Sequence, residues 1–212
     1  MLAIAGGKGG CGKTTTTLGL AGALGRMRRS VLAADADVDM PDLHHLANVD
    51  GTPNLTAVEN GEAVEIATHP PPTLSGVEVV PAPQSMGDSV HLPSALSRLA
   101  DAADHVLVDC PAGAGPDAAT PLRLADHVLL VTTTDPACLR DTAKTAAMAR
   151  ALGTTIVGVA LTRTEHPPTG IERLLDGPVL ASIPNGGVAV LSDESVRRAY
   201  DRLASALLTK HL

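Results

Sequence analysis

Eight residues near the start of the chain limit its fold more than any others: Gly7-Lys8-Gly9-Gly10-Cys11-Gly12-Lys13-Thr14. They fit the phosphate-loop pattern of Gly, four residues, Gly, Lys and a hydroxyl residue. The order follows from the chemistry. Glycines let the backbone turn tightly and bring its N–H groups against phosphate oxygens. Lys13 places a point charge at the outer phosphates, and the Thr14 hydroxyl can ligate Mg²⁺. The flanks agree. Leu2-Ala3-Ile4-Ala5 is a short apolar run suited to a buried strand, and Thr14 to Met27 reads as a helix. Leu18, Ala21, Gly22 and Gly25 share one side of that helix and allow close packing. Strand, glycine loop and helix N-terminus together form an anion site, with the helix dipole directed at the phosphate. A chance glycine-rich turn lacks that flanking order.

Two further apolar runs end in acids. Val31-Leu32-Ala33-Ala34 leads into Asp35-Ala36-Asp37-Val38-Asp39, with Asp42 close behind. Carboxylates this dense repel one another unless a cation compensates. In an open parallel sheet the carboxyl ends of strands face the ligand crevice. Asp35 and Asp37 are therefore expected where Mg²⁺ and an attacking water lie. His105-Val106-Leu107-Val108-Asp109 is a second strand ending in an acid, the pattern of an aspartate that holds Mg²⁺ through water. Gly113, four residues on, is expected to present its N–H to a terminal phosphate.

The apolar pattern places further strands at Val77 to Pro81, Val128 to Thr132, Thr155 to Leu161 and Val179 to Pro184. Helices are expected at Asn54 to Gly61, Ser94 to Ala103 and Ser195 to Leu208, with another opened by Asp135 as cap and Pro136 as first residue. Alternating strands and helices predict a single α/β domain over residues 1–212, with a mostly parallel twisted sheet and helices on both faces. With no Phe, no Trp and Tyr200 as the one aromatic, its core must be Ala, Val and Leu. His44-His45 has no Cys or His at ligand spacing, and adjacent helical residues point apart, so a polar helix surface is expected there rather than zinc. Cys11, Cys110 and Cys138 form no C-x-x-C pair. Cys11 and Cys110 read as small buried residues, and the three scattered thiols suit a reducing, cytoplasmic setting. No apolar run approaches a membrane span, and no basic leader precedes the first strand.

Gly6 to Thr15, with Lys8 ahead of the usual Lys13, resembles the deviant Walker A motif of the MinD/ParA family of P-loop ATPases. In that family the early lysine reaches across an ATP-sandwich dimer. The resemblance implies that Lys8 does so here and that the active form is a homodimer. Asp35-x-Asp37 resembles the family's switch I, with Asp42 where Asn is usual. It implies that Asp37 positions the water and Asp35 is its metal-side partner. Asp109-Cys110-Pro111-Ala112-Gly113 resembles the D-x-P-A-G switch II of MinD. Leu139-Arg140-Asp141 matches the family's V-R-D, which implies a dimer- or partner-facing pair. Thr162-Arg163 stands where Asn-Arg is common, and Ile183-Pro184 resembles the base-pocket segment.

The resemblance thus implies ATP and Mg²⁺ as cofactors. Gly7, Lys8, Gly9, Gly10, Cys11, Gly12, Lys13, Thr14 and Thr15 form the phosphate cradle, with Gly113 at the γ-phosphate and Thr162, Arg163 and Pro184 at the base. Lys8, Lys13 and Asp37 are the implied catalytic residues; Thr14, Asp35, Asp37 and Asp109 are the implied metal residues. The implied function is a slow ATPase, stimulated by a protein partner, that positions division, chromosome or surface machinery. Two alternatives stay open. A metal- or cluster-maturation ATPase usually shows cysteine pairs. A synthetase-like enzyme acting on a small carboxylate needs room for a substrate domain. Net charge is −7, and Arg26-Arg28-Arg29 and Arg197-Arg198 are the only basic clusters, which argues against direct DNA binding. Leu207 to Leu212 lacks aromatic anchors and carries little positive charge, which argues against stable membrane binding by this chain alone.

Overall fold

The chain alternates strands and helices: β1 (Leu2–Ala5), α1 (Lys13–Arg26), β2 (Val31–Asp35), α2 (Leu43–Ala47), α3 (Leu55–Glu59), β3 (Val77–Val80), α4 (Leu92–Leu99) and β4 (His105–Asp109). Then come α5 (Pro116–Leu124), β5 (His127–Thr132), α6 (Pro136–Leu152), β6 (Thr155–Thr162), α7 (Ile171–Leu175), β7 (Val179–Ile183) and α8 (Glu194–Lys210). The computed structural model describes residues 1–84, 90–187 and 190–210.

Among the described residues seven strands form one sheet in the order β3-β2-β4-β1-β5-β6-β7, and every pairing between them is parallel. That meets the expectation of a parallel α/β sheet. Each central strand is buried on both faces, so it reads as an unbroken apolar run. Alternate residues feed two cores. Leu2 and Ile4 join the side covered by α1, α2 and α8, while Ala3 and Ala5 join the side covered by α3, α4, α5 and α7. Cys11 and Cys138 lie in the first core and Cys110 in the second, so Cys11 and Cys110 are buried as expected and Cys138 is buried with them. β1 sits between β4 and β5, where the connections turn opposite ways. The crevice at the carboxyl end of β1 is the place such sheets use for ligands.

Small residues let α1 approach its neighbours. A Cβ on Gly25 would lie 2.2 Å from the Ser75 carbonyl oxygen, and one on Gly22 2.9 Å from Leu74. The sequence pattern does not single out Gly19, yet a Cβ there would lie 2.3 Å from the Tyr200 ring. Tyr200 is fully buried, and its hydroxyl shares a 3.3 Å hydrogen bond with the Thr16 hydroxyl.

Two local readings are corrected, and one helix, α5, was not expected from the sequence. α4 begins two residues before the expected Ser94, because Pro93 fits a first helical turn that needs no N–H. α5 has Pro121 inside it, which hides it from a reading that treats proline as a helix breaker. His44 is buried rather than on a polar surface; only His45 is exposed, with the two ring centroids 3.8 Å apart. Burial, and then the neighbouring His45, hold the His44 imidazole below its usual pKa. Among the described residues no helix is long and apolar enough to cross a membrane. Of the C-terminal segment, residues 211–212 lie outside the described residues.

Candidate active site

The loop between β1 and α1 turns through two left-handed glycines, Gly10 at φ 77° and Gly12 at φ 94°. Gly12 caps α1, whose first residue is Lys13. Nothing lies within 4 Å of a Cβ built on Gly9 or Gly10, so this side of the loop is open. A cavity of about 540 Å³ lies against it, lined among others by Gly10, Gly12, Lys13, Thr14, Thr15 and Asp37. Lys13 is only 8% exposed. Lys8 is exposed and, among the described residues, is not part of that cavity's wall.

Asp35 and Asp109 are register partners at the ends of adjacent strands, and both are buried. Asp109 accepts a hydrogen bond from the Thr17 hydroxyl at 3.1 Å. Burial pushes its pKa up to about 6, although the Thr14 hydroxyl, the Lys13 ammonium and the Thr17 hydroxyl pull the other way. Asp35 Oδ1 accepts the Asp37 N–H at 3.0 Å and Oδ2 the Leu43 N–H at 3.2 Å. It therefore ties both ends of the 36–42 loop, a task the D-x-D pattern does not reveal. Burial, then the Asp109 charge, raise its pKa well above the ordinary range. Asp37 is half-buried on the cavity wall and accepts the Met40 N–H at 3.1 Å. Burial raises its pKa too.

These donors fit Mg²⁺ of the kind that is shared with phosphate. Among the described residues no group of three His, Cys, Asp or Glu side chains could hold a metal alone. One or two carboxylates and a hydroxyl beside a phosphate cradle are what Mg²⁺ uses when substrate oxygens complete its shell.

The base-side residues prove to brace the loop. Thr162 Oγ1 donates to the Cys11 carbonyl at 2.7 Å, and Arg163 donates to the Gly10 carbonyl at 2.7 Å. With Gly12, Thr15, Pro184 and Tyr200 they also line a second cavity of about 240 Å³. The loop after β4 is held as well. Gly113 sits at φ 91° and donates its N–H to the Gly6 carbonyl at 3.1 Å, so presenting it to a phosphate requires that bond to break. α6 packs against both loops through Thr142 and Thr145. Asp135 caps it by accepting the Ala137 and Cys138 N–H groups, each at 2.9 Å. Asp141 pairs with Lys144 at 2.7 Å on the exposed side, while Arg140 is exposed beside it.

The buried carboxylates make a measurable pH dependence. A folded-state pKa above the unfolded value means the native chain holds the proton more tightly. Stability from Asp109 is then full below about pH 4 and is lost as pH rises through about 6. Nucleotide-free protein in a chelating buffer is expected to melt higher at pH 5 than at pH 7.5. Asp109→Asn should raise stability at pH 7.5 by up to about 3 kcal/mol and flatten that slope. An unchanged slope in the variant would assign the effect to other groups.

Comparison with known proteins agrees with this geometry. Residues 2–196 match the model of the CobQ/CobB/MinD/ParA nucleotide binding domain. An uncharacterized ATP-binding protein of Methanocaldococcus jannaschii is 37% identical over 211 residues, covering 94% of this chain and 77% of that protein. The crystal structure of the cell division ATPase MinD of Pyrococcus furiosus superposes with a TM-score of 0.85 at 32% identity, over 98% of both chains. The septum site-determining protein MinD of Pyrococcus horikoshii, complexed with Mg-ADP, gives a TM-score of 0.85 at 31% identity, over 99% of this chain and 95% of that one. The chain belongs to the CobQ/CobB/MinD/ParA family of nucleotide-binding domains.

Proposed function

We propose that the chain is a slow ATPase of the MinD/ParA type, active as a homodimer that ATP closes and hydrolysis opens. One observation carries the reading. Lys13, Thr14 and Asp37 line a single cavity under an open glycine loop, while Lys8 stands exposed on that loop and off the cavity wall. A cation so placed is free to act on the nucleotide of a second copy.

Each residue then has a role. The cradle from Gly7 to Thr15, Cys11 included, and the Lys13 ammonium hold the phosphates, the Gly7 N–H staying on Thr142 while the glycines after it offer theirs. Thr14 and Asp109, together with Asp35 and Asp37 of switch I, would hold the metal. Bound Mg²⁺ supplies charge neutralisation at the phosphate oxygens. Asp37 orients water and takes its proton, a task its raised pKa suits. Attack in line forms the bond from water oxygen to the terminal phosphorus and breaks the bond to the bridging oxygen, giving ADP and phosphate. Lys8 from the second copy offsets the charge developing there. Gly113 N–H engages the terminal phosphate, and Thr162, Arg163 and Pro184 bound the base.

The family match and the Mg-ADP complex of the Pyrococcus horikoshii relative support ATP and Mg²⁺ as ligands. The cell division relative supports a positioning role for division or similar machinery. Such a switch works in the cytoplasm through a protein partner that stimulates hydrolysis. Its address is set through that partner.

The test is turnover and mass together. Asp37→Ala is expected to bind ATP as wild type does, lose at least ~100-fold in turnover, and accumulate as dimers with ATP but not ADP. In the same assay Lys8→Ala should also lose turnover. Wild-type activity in Lys8→Ala would overturn its action across the interface.

A further inference from the structure

Helix α6 reaches both nucleotide loops through two buried hydroxyls one turn apart, Thr142 and Thr145. Thr142 Oγ1 accepts the Gly7 N–H at 3.2 Å and donates to the Cys138 carbonyl at 2.9 Å. Its proton is committed, so Thr142 is a fixed tie. Thr145 is different. Its hydroxyl lies 3.2 Å from the Gly113 carbonyl oxygen and 3.3 Å from the Asp141 carbonyl oxygen. A threonine hydroxyl has one proton to donate. The two carbonyls therefore compete for it. Asp141 is four residues back on the same helix and moves with Thr145, whereas Gly113 belongs to the loop after β4.

The loop end of this contact has room to move. Gly113 carries no side chain, and a Cβ built on it meets only the Gly7 carbonyl oxygen, at 3.8 Å. In the arrangement seen here the Gly113 residue is held twice. Its N–H goes to Gly6, and its carbonyl is met by Thr145.

We propose that Thr145 is a positioning residue that fixes the resting place of Gly113, and thereby sets how strongly the site prefers a nucleoside triphosphate to a diphosphate. The proposal rests on the nucleotide reading above. For Gly113 to offer its N–H to a terminal phosphate it must leave Gly6. As it leaves, the Thr145 proton turns to the Asp141 carbonyl, already within reach, and no buried donor is stranded. Replacing the hydroxyl by a methyl strands the Gly113 carbonyl only in the resting place. The released place then gains population. A triphosphate that engages released Gly113 binds more tightly, and a diphosphate gains nothing.

The experiment compares Thr145→Val, which keeps the shape, with Thr145→Ser, which keeps the hydroxyl. Equilibrium titration with Mg-ADP and with a Mg-bound non-hydrolysable ATP analogue gives a ratio of affinities. Thr145→Val is expected to raise the preference for the analogue about tenfold, the worth of one buried hydrogen bond. Thr145→Ser should stay within about twofold of wild type. An unchanged ratio in the valine variant, or the same change in the serine variant, overturns the proposal. Amide hydrogen exchange at Gly113, without nucleotide, supplies a second readout. It should be faster in Thr145→Val than in wild type or Thr145→Ser, and equal rates overturn the proposal. If wild type binds neither nucleotide, the nucleotide reading fails by itself, while the exchange comparison still decides the contact. If Thr145→Val does not fold, Thr145→Ala carries the same comparisons.

Discussion

Lys13→Ala is expected to weaken Mg-ATP binding at least ~100-fold while leaving the fold intact. Lys13 opens α1 at the cavity wall and is almost wholly buried. A buried ammonium is costly unless something anionic answers it. Without nucleotide the answer comes from Asp37 and Asp109, both of which feel its charge. With nucleotide the phosphates add to it through charge-assisted hydrogen bonds, each worth about 1.5–3 kcal/mol. Removing the side chain deletes that gain. It also leaves Asp109 without a cation that lowers its pKa, so the empty site should hold its proton more tightly still. Calorimetric titration with Mg-ATP checks the binding, and circular dichroism checks the fold. Binding within threefold of wild type would mean that the cavity beside Lys13 is not where phosphate goes.

The second large effect is steric. In Gly7→Ala the new Cβ would lie 1.9 Å from the Asp141 carbonyl carbon and 2.1 Å from the Thr142 nitrogen. Both are backbone atoms of α6, so no rotamer change relieves the clash. Either the loop or the helix must shift, and the hydrogen bond from Gly7 to Thr142 is lost with it. Overpacking of this severity costs about 3 kcal/mol. For a domain of this size that corresponds to a melting temperature roughly 6–12 °C lower. Nucleotide affinity should fall as well, because the displaced residue begins the cradle. Gly9→Ala is the matched control. A Cβ there meets nothing within 4 Å, and its stability should stay within about 0.5 kcal/mol of wild type. Equal melting temperatures for the two variants would show that α6 yields freely to the loop.

What could be read from the sequence was local in the chain. Gly7 to Thr14 declares its chemistry within eight residues, and β2 and β4 declare theirs by ending in Asp35 and Asp109. Strands buried on both faces leave unbroken apolar runs, so the sheet was legible as well. The braces on the loops were not. Thr162 to Cys11, Thr142 to Gly7 and Thr145 to Gly113 are single hydrogen bonds between residues 151, 135 and 32 positions apart. One hydroxyl among many threonines carries no periodic signal. The run Thr14 to Thr17 does not say which hydroxyl does what. Only the fold shows that Thr17 serves Asp109 and that Thr16 serves Tyr200. His44 was misjudged because α2 has five residues, too few for an apolar stripe to show which side is buried.

Tyr200 is the protein's only strong chromophore in the near ultraviolet, since the chain has no tryptophan and no other tyrosine. Its ring packs on Gly19, its hydroxyl touches Thr16, and it lines the smaller cavity. Absorbance and emission near 280–300 nm therefore come from one place, between the closing helix and the first turns of α1. The molecule carries a built-in optical probe at the spot where filling of the smaller cavity would be felt, and nucleotide titrations can be followed there without any label.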